Sequence, residues 1–95
     1  MSPLKRKKLS KIRLELDKLD NNLIKIIKKR TNLVNEVLKN KKFKKDIVDR
    51  NRIAIILKNI SKKSKKNNID PLITKKIWKS MISAFIDYEH RNFKK

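Results

Sequence analysis

Apolar residues return every three or four positions from Leu9 onward, at Leu9, Ile12, Leu16, Leu19, Leu23 and Ile26, and again at Leu33 and Val37. That alternation is the seam of a helix packed along its whole length. No helix breaker falls between about Pro3 and Asn40, so the spacing predicts one helix, roughly 50 Å long at 1.5 Å per residue. A core built from 95 residues is too small to cover such a helix, which points to a partner chain. The period is lost over Lys41–Val48 (KKFKKDIV), which reads as a loop. Asp49 is placed to cap a short second helix that turns Ile53, Ile56, Leu57 and Ile60 to one side. The polar run Ser61–Asn68 (SKKSKKNN) carries the end of that helix and a second connection. Asp70-Pro71 then marks a firm helix start, a capping residue followed by proline at the first helical position. The third helix, of medium length, runs to about Phe93 and is expected to bury Ile73, Ile77, Trp78, Met81, Ile82, Phe85 and Ile86. The fold expected is all-α, one domain over residues 1–95, with the basic segment 1–8 partly frayed.

Charged side chains interrupt these apolar faces at a few places. Arg30 falls four after Ile26 and three before Leu33, on the seam itself. Lys41 falls four after Val37, at the far end of the same stripe. Arg52 lies four before Ile56 and beside Ile53, on the face expected to turn inward. Glu89 lies four after Phe85 and four before Phe93, on the inward face of the third helix, and Arg13 borders the first stripe next to Ile12. A charge on an apolar face is costly unless it is paired. A cation at a stripe edge carries its head out to water, the plain reading of Lys41. For Arg30, in mid-helix, the plain reading is an ion pair with Glu89. Three or four cations around one acid, however, leave positive charge unmatched, and a small polyanion would balance it. Arginine suits that task because its planar fork grips a carboxylate with two parallel bonds.

Composition narrows the chemistry. The chain has no cysteine and one histidine, His90, so a disulfide framework and an ordinary zinc or haem centre are not expected; no metal or cofactor is implied. There is no Ser/His/Asp grouping around His90, no carboxylate pair spaced for acid–base work and no glycine loop for phosphate. An enzyme built from these residues works by holding and electrostatically biasing a reactive anion, not by covalent attack. The sequence holds neither an apolar run of membrane-spanning length nor a signal-peptide core, so a cytoplasmic protein with no membrane partner is expected. The formal net charge of +20 is the usual footprint of a nucleic-acid binder. Yet 23 of the 29 cations are lysine, and Lys, Ile and Asn, which share A/T-rich codons, make up half the chain. Two readings of that charge stand side by side, a solvated surface shaped by base composition and a charge selected for binding. A DNA-binding helix would also show its arginines outward, whereas Arg30 and Arg52 fall on faces expected to be buried, and aromatic residues are few.

Four segments together resemble the all-helical chorismate mutase family, which includes the isochorismate-pyruvate lyases. IRLELDKLDNNLIKIIKKR (Ile12–Arg30) looks like the family's arginine, then a stripe, then a second arginine. VNEVLKNK (Val34–Lys41) places a lysine eleven residues after Arg30, and DRNR (Asp49–Arg52) is similar to the Asp-x-x-Arg that opens the family's second helix. IDPLITKKIWKSMISAFIDYEH (Ile69–His90) resembles the third helix, with Glu89 where the family carries Gln or Glu. The resemblance implies an intertwined homodimer acting on a small dicarboxylate in aromatic amino acid biosynthesis, chorismate to prephenate. It also implies that Arg13 reaches a substrate carboxylate across the interface and that Arg30 binds the second carboxylate. Lys41 and Glu89 would face the breaking ether bond. Arg52 would contact that side of the ligand or hold Asp49 and the pocket wall, and Val37, Ile56, Phe85 and Ile86 would form the apolar sides. Ile53 stands where mutases of this family carry a glutamate for the ring hydroxyl, a feature that resembles the lyases.

Overall fold

A computed structural model describes residues 2–94, and these contain three α-helices, a short 3-10 turn and no strand. Helix α1 spans Pro3–Lys39, α2 Arg50–Lys66 and α3 Pro71–Asn92, with the 3-10 turn at Lys44–Asp46. The chain divides into two compact units, Met1–Leu33 and Val34–Lys95. The boundary falls inside α1, because a helix of 37 residues makes most of its contacts within itself.

The first unit is helical from Pro3. The reason is local. Ser2 Oγ accepts the Lys5 N–H at 3.2 Å and Pro3 occupies the first helical position, a favourable start for a helix. Within this unit the apolar stripe is laid bare: Leu16, Leu19, Leu23 and Ile26 are each more than half exposed.

The second unit is organised by its caps. Asp49 Oδ1 accepts the Arg52 N–H at 3.0 Å and opens α2, as its sequence position predicts. Helix α2 then continues through most of the polar run Ser61–Asn68, and is 17 residues long where a short helix had been expected. Lysine and serine do not break a helix; the stop comes from Asn68, which takes a positive φ of 57°. Its N–H bonds Lys65 O at 3.2 Å and the next N–H, of Ile69, bonds Ser64 O at 2.8 Å, the two closing bonds of a Schellman turn. In a chain with no glycine, asparagine is the residue best able to take that conformation. Asp70 Oδ1 accepts the Leu72 N–H at 2.9 Å and Pro71 follows, so α3 starts where predicted.

Helices α2 and α3 pack on each other, half-burying Ile53, Ile56, Leu57 and Ile60 against Trp78, Met81, Ile82, Phe85 and Ile86. Ile73 and Ile77, expected in this core, are instead 55% and 51% exposed, because Thr74 and Trp78, each one residue on and about 100° round α3, take the half-buried positions. The α2–α3 corner is held by hydroxyls. Ser64 Oγ, buried, donates to Ile60 O at 2.6 Å and shares a 2.7 Å hydrogen bond with Thr74 Oγ1, which also lies 3.3 Å from Pro71 O. The two apolar side chains buried in this unit are Leu38, at the end of α1, and Ile47, in the following loop. Each is worth roughly 1.5–3 kcal/mol against exposure.

Candidate active site

Lys41 and Glu89 are 48 residues apart and come together. Lys41 follows the last turn of α1, where Asn40 N–H and Lys41 N–H close the helix onto Val37 O and Leu38 O. From there its ammonium reaches α3 and donates to Glu89 Oε1 at 3.3 Å. Glu89 is the one buried charged residue among those described. The same ammonium donates to the carbonyl of Ile47, also at 3.3 Å. Both are long for hydrogen bonds. The convergence expected from the apolar stripes is thus present for this acid and this lysine.

Glu89 is held from its own helix. Tyr88, one residue earlier, donates its hydroxyl to Asn35 Oδ1 at 2.7 Å, tying α3 to the last turns of α1. Phe85 meets Tyr88 edge-on, with ring centroids 6.4 Å apart, and stands with Ile86 half-buried one turn before Glu89. His90, beside Glu89, is exposed, as expected of a surface histidine.

Other candidates are placed differently. Ile53 and Ile56 are half-buried on α2, in keeping with an apolar wall. Arg52 is exposed, not inward: Ile53 takes the inward position, and Arg52 stands about 100° round the helix from it. Its exposure removes one of the two arginines that spoke against an outward, nucleic-acid-binding face. Val37 is 51% exposed, since the next residue, Leu38, turns into the core in its place. The Asp49 carboxylate is committed to the α2 cap through the Arg52 backbone N–H. Arg13 and Arg30 lie in the first unit, Arg13 exposed and Arg30 half-buried.

Among the described residues of the second unit, three clefts have linings that do not include Lys41 or Glu89. One of about 450 Å³ lies between Leu57, Ile60, Pro71 and Leu72. A second borders the start of α2 from Lys45 to Asn51, and a third is lined by Asn35, Leu38 and Phe93 among others. Among the described residues no helix is long and apolar enough to cross a membrane.

Sequence reasoning missed Asn35, Leu38, Ile47 and Tyr88. Leu38 and Asn35 sit beside the predicted stripe, not on it, and Ile47 lies in the stretch without a period. The signal for Ile47 was composition: with Val48 it forms the one apolar pair in a loop of lysines.

Residues 12–90 match the family model described as chorismate mutase type II. Comparison with curated proteins and with solved structures gives no match.

Proposed function

From the premise that the chain belongs to the chorismate mutase type II family, we propose that it rearranges chorismate to prephenate without a cofactor or covalent intermediate. The observation that carries this reading is the Lys41–Glu89 pair, which brings a cation and a buried acid together at 3.3 Å, with half-buried Phe85 and Ile86 on the same helix as Glu89. The reaction breaks the ether C–O bond and joins the enolpyruvyl methylene to the ring, while the ether oxygen becomes the ketone oxygen. Atoms and electrons balance within one molecule, so the protein's task is to hold a reactive conformer and stabilise the charge that builds on that oxygen. In this reading the Lys41 ammonium donates to the ether oxygen as the bond stretches, and protonated Glu89 supplies a second donor. Arg30 clamps one carboxylate, and Arg13 of a second protomer takes the other. Arg52 and Asp49 border the ligand, and Ile53, Ile56, Phe85, Ile86 and Val37 restrict its apolar sides.

A second reading is isochorismate-pyruvate lyase activity, favoured by one observation: Ile53 is apolar and half-buried at the position for the ring-hydroxyl glutamate. There the same C–O cleavage passes a ring hydrogen to the methylene and releases pyruvate. Incubation with chorismate and, separately, isochorismate, with the products identified, tests both. Prephenate from chorismate supports the mutase, pyruvate from isochorismate the lyase, and turnover of neither rejects both.

The proposal includes an intertwined homodimer. Leu16, Leu19, Leu23 and Ile26 present a continuous exposed apolar stripe, and a second copy would cover it and bring Arg13 to the site. Folding and association are then one event, and thermal stability should rise with protein concentration. Light scattering that finds a folded, active monomer at micromolar concentration would reject this assembly.

A further inference from the structure

We propose that Ile47 is a positioning residue for Lys41, its main-chain carbonyl aiming the ammonium at the reacting oxygen; this rests on the mutase reading. A lysine ammonium carries three N–H groups on a tetrahedral nitrogen. In this structure one is directed to Ile47 O and one to Glu89 Oε1, each at 3.3 Å. Once two directions of a tetrahedral centre are fixed, the third is fixed with them. The N–H left for a substrate is therefore aimed by Ile47 and Glu89 jointly, not by the flexible lysine stem.

The Ile47 carbonyl is itself held from two sides. The Ile47 N–H bonds Lys44 O at 3.2 Å, closing the 3-10 turn, and its side chain is only 3% exposed, among the most buried in the chain. That turn is braced in turn by Asp46, whose N–H bonds Phe43 O at 3.0 Å and whose carboxylate accepts the Phe43 N–H at 3.3 Å. The neighbouring Val48 is 42% exposed and gives no such anchorage. The loop thus buries one apolar side chain in a run of lysines, and that residue offers its carbonyl to the one lysine that meets Glu89. Fixing the ammonium before substrate arrives avoids reorganising it in the transition state, which is where such donors gain their catalytic value. Glu89 is not able to do this alone, because the mechanism asks it to turn a proton toward the same oxygen.

The test weakens the carbonyl without touching the side chain. Val48 is replaced by its α-hydroxy acid in the full-length protein, so that the Ile47–Val48 amide becomes an ester, whose carbonyl is a poorer acceptor. Expected is a fall in kcat of about 3- to 10-fold with KM within about twofold, as for a weakened charge-assisted bond. Ile47→Ala, which loosens the anchor, should lower kcat at least as much, and Ile47→Val, which keeps it, should restore kcat to near the parent value. A readout independent of turnover is the Lys41 ammonium in nitrogen-15 lysine spectra, assigned by its loss in Lys41→Met. It should be slow to exchange its protons in the parent and Ile47→Val, and fast in the ester. Unchanged kcat and unchanged ammonium exchange in the ester would overturn the proposal. An inactive parent whose ammonium is still released by the ester would reject the mutase reading while upholding the contact.

Discussion

Arg30→Ala is expected to lower kcat/KM by roughly 30-fold to several thousand-fold, equivalent to about 2–5 kcal/mol of lost transition-state binding. Arg30 interrupts the α1 seam between Ile26 and Leu33 and is half-buried, whereas the apolar residues on either side of it are exposed. A guanidinium in such surroundings is partly desolvated, and under the proposed function its removal would leave a substrate carboxylate without a partner. Arg30→Lys keeps the charge but loses the two-pronged geometry, so it should fall between parent and alanine. The control lies in the charge that the chain carries in excess. Lys62, Lys63, Lys65 and Lys66 are all exposed at the end of α2, and neutralising them together should leave kcat nearly intact. Their effect belongs to capture: a net charge of +20 draws in a dianion over distances that salt shortens, the screening length being about 8 Å at physiological ionic strength. Rising salt should therefore reduce kcat/KM more than kcat in the parent. Equal losses of kcat from the arginine and the lysines would mean that Arg30 acts only through the general field, and the pocket assignment would fail.

The difference between legible and hidden features follows from how each is encoded. Both interior caps, Asp49 and Asp70, were readable because a cap is a local event: one side-chain oxygen and an N–H two or three residues on. Lys41 and Glu89 were readable because a charge on a periodic apolar face stands out against the period. The end of α2 was not, since it depends on which residue accepts a positive φ, and Asn68 is one of several polar residues in that run. Arg52 is exposed where an inward position had been expected, while Val37 is exposed like most of the α1 stripe it belongs to. A stripe defines a face only to within one side chain, and packing selected Leu38 over Val37 and Ile53 over Arg52. The α1 stripe, in contrast, was read as needing a partner chain, and in the single chain Leu16, Leu19, Leu23 and Ile26 are each more than half exposed.

Glu89→Gln is expected to keep turnover and abolish its dependence on pH, and this separates two roles for the acid. As placed, Glu89 accepts a hydrogen bond from Lys41, which an ionised carboxylate does well. An ether oxygen gaining negative charge needs donors, and an ionised carboxylate has none to give. Glu89 therefore helps the reaction only when it carries a proton. The sign follows from that proton alone: conditions that remove it take away the donor and lower kcat, and conditions that restore it raise kcat. Glutamine in its place can accept from Lys41 through its carbonyl and donate through its amide at any pH, so that limb of the profile should flatten. Glu89→Ala removes both functions and should cost about 100-fold or more in kcat, the usual scale for losing a donor to a developing oxyanion. The measurement is kcat against pH for the three proteins, with circular dichroism to show that each is folded. If Glu89→Gln keeps the parent's profile, or Glu89→Ala turns over normally, the acid does not face the breaking bond. It would then be only the buried counter-ion of Lys41, and Glu89→Ala should show itself as lost stability instead, since the ammonium would keep only the Ile47 carbonyl.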